Sequence, residues 1–200
     1  MPPHLMLEPF AVNIPHGPHK GQRFGCFFVF LSSDVITASL WLDRAKNLCG
    51  AGNCAFSSVA ATTPGAFASQ ASGMVGSMLR GPTRTATVRE VVGEVVEVTS
   101  SWVERLPKEK GCLWYAHRLR RDSPSVADEG LKSKSCFGVR EQHWMFEIIG
   151  NVAVNDGDEN IEDREREAEK WTTGFEAALK GTGKCEKWTY HAMVSINCLE

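Results

Sequence analysis

The sequence predicts an α+β fold, an antiparallel β-sheet with helices covering one of its faces. Three observations carry this expectation. Strand-like segments follow one another through turn-rich connections of Pro, Gly and His, the pattern of hairpins rather than of parallel crossovers. Two stretches, 88–103 and 161–180, repeat apolar residues at helical spacing with charges on the opposite side. The helices are interspersed among the strands, and each needs an apolar surface to bury its stripe.

Residues 5–14 and 22–31 read as two extended segments, separated by Pro15-His16-Gly17-Pro18-His19-Lys20-Gly21. Ser32-Ser33-Asp34 offers capping oxygens for a helix reaching Leu48, with Ile36, Leu40 and Ala45 as its inner side. A strand is expected at 55–61. Thr62-Thr63-Pro64 then opens a short helix over 65–75, since proline at the first helical position loses no needed N–H. Residues 80–86 return as a strand.

Thr87-Val88-Arg89-Glu90 fits a capping box, in which hydroxyl and carboxylate satisfy the open N–H groups of a first turn. The helix that follows places Val88, Val91, Val92, Val95, Val96, Trp102 and Val103 toward the sheet and Glu90, Glu94, Glu97 and Glu104 toward water. Strands are expected at 111–119 and 142–152, joined by a long polar connection. The last helix, 161–180, turns Ala168, Trp171, Phe175, Ala178 and Leu179 inward and leaves the run Asp163-Arg164-Glu165-Arg166-Glu167 exposed. Gly181 and Gly183 end it, and 188–196 is a final strand.

Composition narrows the function. The 200 residues suffice for one domain with a core, and a formal charge of -2 gives no broad attraction to nucleic acid or anionic lipid. The longest apolar run, 26–31, is far below the roughly 20 residues a bilayer span needs. No membrane partner is expected. The start, Met1-Pro2-Pro3-His4-Leu5-Met6, lacks the basic and apolar regions of a secretory signal, so a cytoplasmic location is expected. Cys26, Cys112 and Cys198 lie in apolar or strand-like runs and read as small buried hydrophobes, while the spacing of Cys49 and Cys54 matches no zinc pattern.

Several motifs fail on context. Gly50-Ala51-Gly52-Asn53-Cys54-Ala55 has the dinucleotide spacing, but it follows a helix and precedes a strand, the reverse of what a pyrophosphate site needs. Gly181-Thr182-Gly183-Lys184 lacks the earlier glycine of a phosphate loop and reads as a helix-ending turn. His16 and His19 have no evident third ligand, so no metal is expected.

Two strands carry the chemistry of interest. Alternation puts Tyr115 and His117 on one face of 114–119, opposite Trp114, Ala116 and Arg118. Likewise His143, Met145 and Glu147 share a face opposite Trp144, Phe146 and Ile148. One face of each strand is core, and the other presents polar groups.

Four segments in order, Gly81-Pro82-Thr83-Arg84-Thr85-Ala86-Thr87-Val88-Arg89, Trp114-Tyr115-Ala116-His117-Arg118-Leu119, Cys136-Phe137-Gly138-Val139-Arg140-Glu141-Gln142-His143-Trp144-Met145-Phe146-Glu147-Ile148-Ile149-Gly150 and Ala168-Glu169-Lys170-Trp171-Thr172-Thr173-Gly174-Phe175, resemble FAD-linked oxidases of the vanillyl-alcohol oxidase and berberine-bridge type. The chain resembles only the antiparallel substrate domain of that family, over about residues 3–190. It has no Arg-Ser-Gly-Gly-His-type flavin loop and no terminal Tyr-Asp-Pro-x-Asn segment.

The resemblance implies a sheet face set above a flavin ring, with FAD as cofactor and an alcohol or amine as the small-molecule substrate. It implies Tyr115, His117 and Glu147 as base or orienting groups, and Arg140 and His143 as substrate-positioning groups. A flavin domain supplied in trans, or a homodimer, would be the partner. The alternative from a different class is a non-catalytic binding or interaction protein derived from that domain, which would expose an apolar patch.

Overall fold

A computed structural model of the chain describes residues 5–14, 20–30, 35–48, 79–109, 111–119, 141–154 and 159–187. The expected strands at 55–61 and 188–196, the helix at 65–75, the caps Ser32 to Asp34, the Gly50–Ala55 run, His16, His19, Cys49, Cys54, Cys198 and Arg140 lie outside these residues.

The fold is α+β. Strand β1 (Leu5–Ile14) pairs along its whole length with β2 (Gly21–Phe30), Leu5 opposite Phe30 and Ile14 opposite Gly21. On its other side β1 meets β5 (Gly111–Leu119) antiparallel, with Phe10 opposite Tyr115. Next to β5 lies β6 (His143–Ala153), again antiparallel, with Tyr115 opposite Glu147. The far edge of β6 is paired by β4 (Thr83–Val88) and, beyond it, by the short β3 (Leu79–Arg80). All pairings among the described strands are antiparallel.

β3 and β4 are separated at Gly81-Pro82. Gly81 has φ +151, where a Cβ would stand 2.1 Å from the carbonyl oxygen of Gly150, so only glycine fits there. Proline next to it has no N–H for the ladder, and its own carbonyl instead accepts from Gly150 N at 2.8 Å.

Helix α1 (Val35–Leu48) follows β2, α2 (Gly93–Val103) follows β4, and α3 (Ile161–Gly181) follows β6. α3 lies on β6 and β4 and α2 packs against α3. The core under them takes alternate residues of each strand: Ala11, Ala86, Val88, Cys112, Trp114, Ala116, Phe146, Ile148 and Val152, met by Val95, Val103, Ala168, Trp171, Phe175 and Leu179. Gly150 lets α3 approach, since a Cβ there would come within 2.7 Å of Thr172 Cγ2 and 3.1 Å of the Ala168 carbonyl. Trp102 stacks on Phe175 at 6.0 Å, and Trp171 Nε1 donates to the Trp102 carbonyl at 2.9 Å, which fixes α2 against α3.

The structure corrects four readings of the sequence. Thr87 and Val88 continue β4 opposite Met145 and Trp144, so the capping box does not form and α2 begins at Gly93 after Val92, without a side-chain cap. β-branched residues suit the pleated ladder, which already satisfies their backbone. The Thr87 carbonyl also accepts from Glu186 N at 2.8 Å. As a result Val91 and Val96 are exposed, and the buried stripe of α2 is Val95, Thr99 and Val103.

On α1, Ile36 and Leu40 are 76% and 58% exposed. The less exposed row is Thr37 and Trp41, the next i, i+4 pair around the helix, with the Arg44 guanidinium 5.0 Å above the Trp41 ring. Cys26 is exposed: it shares its face of β2 with exposed Phe24, away from β4 and β6 where α3 packs. Within the charged run of α3, Arg164 turns back to grip Glu109 in a two-pronged pair at 2.9 and 2.6 Å.

Cys112 is buried as expected, and burial pushes its thiol up to about 12. The α3 end is the expected turn: Thr182 N and Gly183 N bond back to Leu179 and Lys180, and Gly183 has φ +68. Among the described residues no helix is long and apolar enough to cross a membrane.

Candidate functional site

The face of the sheet away from α2 and α3 is built by the other half of each strand. The ladder sets Thr85 of β4, Glu147 of β6, Tyr115 of β5 and Phe10 of β1 side by side in one row. Residues directly opposite in an antiparallel ladder share a face, so this row is fixed by register. Gly25 of β2 stands opposite Phe10 and leaves room for its ring: a Cβ there would be 2.3 Å from Phe10 Cζ.

Glu147 is the centre of the row. It is 2% exposed, and its Oε2 accepts a short hydrogen bond from the Tyr115 hydroxyl. Its Oε1 faces His117 Nε2 at 3.7 Å. His117 in turn places Nδ1 2.8 Å from Oε1 of Glu8, on β1. A carboxylate only accepts, so Nδ1 carries the proton of that bond. The rings of Tyr115 and His117 meet edge to face at 4.7 Å. The structure thus brings Tyr115, His117 and Glu147 together and adds Glu8.

Burial raises the proton affinity of Glu147, opposed by the Tyr115 hydrogen bond and by His117 and reinforced by Glu8. Burial also raises Tyr115, as do its hydrogen bond to Glu147 and the nearby carboxylates, so its hydroxyl stays protonated and acts as a donor. A carboxyl whose proton affinity is raised by burial and which is held by a fixed donor is suited to accept and return a proton.

His143 does not join this group. It is four residues from Glu147 along β6, roughly 13 Å at the usual strand rise, with Met145 between. It is 2% exposed, donates from Nδ1 to the Glu141 carbonyl at 2.7 Å, and burial lowers its proton affinity. This is the setting of a neutral buried histidine.

Glu8 was legible only as an acid inside the apolar run Leu5-Met6-Leu7-Glu8-Pro9-Phe10, two residues before a phenylalanine on the same face. Thr85 and Thr87 are buried on this face too, and alternation within Thr83-Arg84-Thr85-Ala86-Thr87 was the signal for them.

A diphosphate-bearing cofactor finds a poor fit at the starts of α2 and α3, whereas the first turn of α1 carries no acidic residue. The first turn of α2 carries Glu94 and that of α3 carries Glu162 and Asp163, which repel an anion where bare N–H groups would attract it. Among the described residues no group of His, Cys, Asp and Glu is disposed to hold a metal ion.

Comparison of the chain with protein-family models and with curated proteins found no match in either.

Proposed function

We propose that this chain is the substrate-side sheet of an FAD-linked oxidoreductase that oxidises an alcohol or amine, with Glu147 as the base. The observation that carries the reading is the buried Glu147 carboxyl, fixed by the Tyr115 hydroxyl and facing His117. Four segments resembling that family point the same way.

Oxidation of a hydroxyl or amine removes a proton from O–H or N–H and a hydride from the adjacent carbon. A flavin, when bound, supplies the hydride acceptor. The starts of α2 and α3 do not fit its diphosphate, and the flavin would be held by another domain, in trans or elsewhere in a longer chain.

The chain's own residues handle the proton. Ionised Glu147 takes it on a carboxylate oxygen, and its raised affinity makes it a stronger base than an exposed glutamate. Tyr115 holds the carboxyl in place by donating to Oε2. Phe10, beside Tyr115 in the row, gives an apolar wall for the substrate's carbon skeleton.

A second reading, binding without catalysis, draws on Phe24, Ile36 and Leu40, which are 64%, 76% and 58% exposed on β2 and α1. One experiment separates the two. The chain is incubated without oxygen with a flavin-loaded FAD-binding domain supplied in trans and a panel of primary alcohols and amines, and the visible flavin band is followed. The oxidoreductase reading expects substrate-dependent bleaching that falls on the order of a hundredfold in Glu147→Gln. A band unbleached by every substrate, with unchanged FAD fluorescence, overturns it in favour of the binding reading.

A further inference from the structure

Glu147 sits almost out of reach of water, yet a base must exchange its proton in every cycle. The described groups beside it stand at more exposed positions. Glu147 is 2% exposed by its side chain, His117 29% and Glu8 18%, and the three lie in line across β6, β5 and β1. His117 touches both carboxylates with different nitrogens, Nε2 toward Glu147 at 3.7 Å and Nδ1 toward Glu8 at 2.8 Å.

We infer that His117 and Glu8 form a relay that carries protons between the buried carboxyl of Glu147 and solvent at the β1 side of the sheet. Its use in catalysis rests on the oxidoreductase reading, but the relay itself belongs to the folded chain. Each transfer is balanced. The Glu147 O–H proton passes to Nε2 and leaves a carboxylate, making His117 an imidazolium opposed by the Glu8 carboxylate. The Nδ1 proton then passes to Glu8, whose O–H gives it to water, and the neutral ring, now protonated on Nε2, returns to the Nδ1–H form by giving the Nε2 proton to water and taking one from water at Nδ1 through its exposed edge. The first gap is about half an ångström beyond the usual hydrogen-bond limit, a distance closed by a small side-chain movement or by one bridging water.

Tyr115 does not serve as the exit. Its hydroxyl already donates to Glu147, and burial with two nearby carboxylates keeps it protonated. It fixes the carboxyl and leaves Oε1 to His117.

The test reads proton exchange directly and needs no turnover. At a pH low enough for the protonated Glu147 band to be present, the protein is mixed into heavy water and the carboxyl C=O stretch is followed by infrared spectroscopy, with Glu147→Gln subtracted to isolate the band. The relay predicts exchange slowed on the order of a hundredfold in His117→Ala and on the order of tenfold in Glu8→Gln, with free imidazole restoring the rate in His117→Ala. A purely structural His117 gives the opposite sign, because loosening the sheet speeds exchange. Amide exchange at Ile148 is recorded alongside to detect such loosening.

Wild-type or faster exchange in the variants overturns the relay, and Glu8→Gln decides if His117→Ala does not fold. Slowed exchange in a protein that never bleaches flavin keeps the relay and removes the oxidoreductase reading. Bleaching with exchange unchanged in the variants does the reverse.

Discussion

The two faces of one sheet are made from the same strands and follow opposite rules. On β5 and β6 the face under α3 carries Trp114, Ala116, Phe146 and Ile148, which bury apolar surface and meet other apolar side chains. One residue along, the other face carries Tyr115, His117 and Glu147, and there a carboxyl is 2% exposed. The first face gains free energy by leaving water. The second spends some of it, since holding a carboxyl away from water is unfavourable unless it is neutral or well paired. Period-two alternation thus lets one backbone present an apolar packing face and a face that holds a buried carboxyl.

The contrast is broken most severely on the helix-covered side. Phe175, fully buried between Trp102 and Trp171, should cost about 3–5 kcal/mol on replacement by Ala, through lost transfer and the cavity left behind. Denaturant unfolding followed by tryptophan fluorescence measures it. Across the sheet, Tyr115→Phe leaves no cavity but strips Glu147 Oε2 of its donor, a loss of about 1–3 kcal/mol in the same assay. A Tyr115→Phe cost matching that of Phe175→Ala would mean that the two faces are not built differently.

The pH dependence sharpens the comparison. The folded chain holds the Glu147 proton more tightly than the unfolded chain does, so its contribution is complete below the ordinary glutamate range and is lost as pH rises through the raised folded value. Glu147→Gln should remove that decline. His143 acts in the opposite sense: burial lowers its affinity, so its contribution is present above the ordinary histidine value and is lost as pH falls through the lowered one. Unfolding free energies of the wild type, Glu147→Gln and His143→Gln across the acidic to neutral range test both signs.

The smallest effect is expected on neither face. Arg166 pairs with Asp163 in the open, and its replacement by Ala should change stability by less than about 0.5 kcal/mol. Arg164, two residues away, holds Glu109 with both prongs and also reaches the Ala153 carbonyl, so Arg164→Ala should cost measurably more in the same denaturation series.

The strand framework was legible because period-two alternation and hairpin turns are local. β5 begins and ends at the residues the sequence indicated, and the split of Tyr115 and His117 from Trp114 and Ala116 holds. α3 was legible for the same reason, through Ala168, Trp171, Phe175 and Leu179. What misled was local chemistry overruled by pairing at a distance. Thr87 and Glu90 have the spacing of a cap, yet β6 and Cys185 recruit Thr87 and Val88 into the sheet.

The candidate site was half visible. Glu147, Tyr115 and His117 are near one another only because β5 and β6 pair in one register, which the sequence indicates by face but not by alignment. Glu8 comes from more than a hundred residues earlier, and no local pattern connects it to His117. His143 shares the face but not the cluster, since a face says nothing of position along the strand.

The most direct test of the account is the titration of Glu147 in the folded chain, followed by the side-chain carboxyl carbon resonance with Glu147→Gln to assign it. The account predicts a midpoint above the ordinary glutamate range, shifting further when Tyr115→Phe removes the donor to its ionised form. A midpoint within or below that range would mean a permanently ionised carboxylate paired with His117, a structural ion pair rather than a poised base.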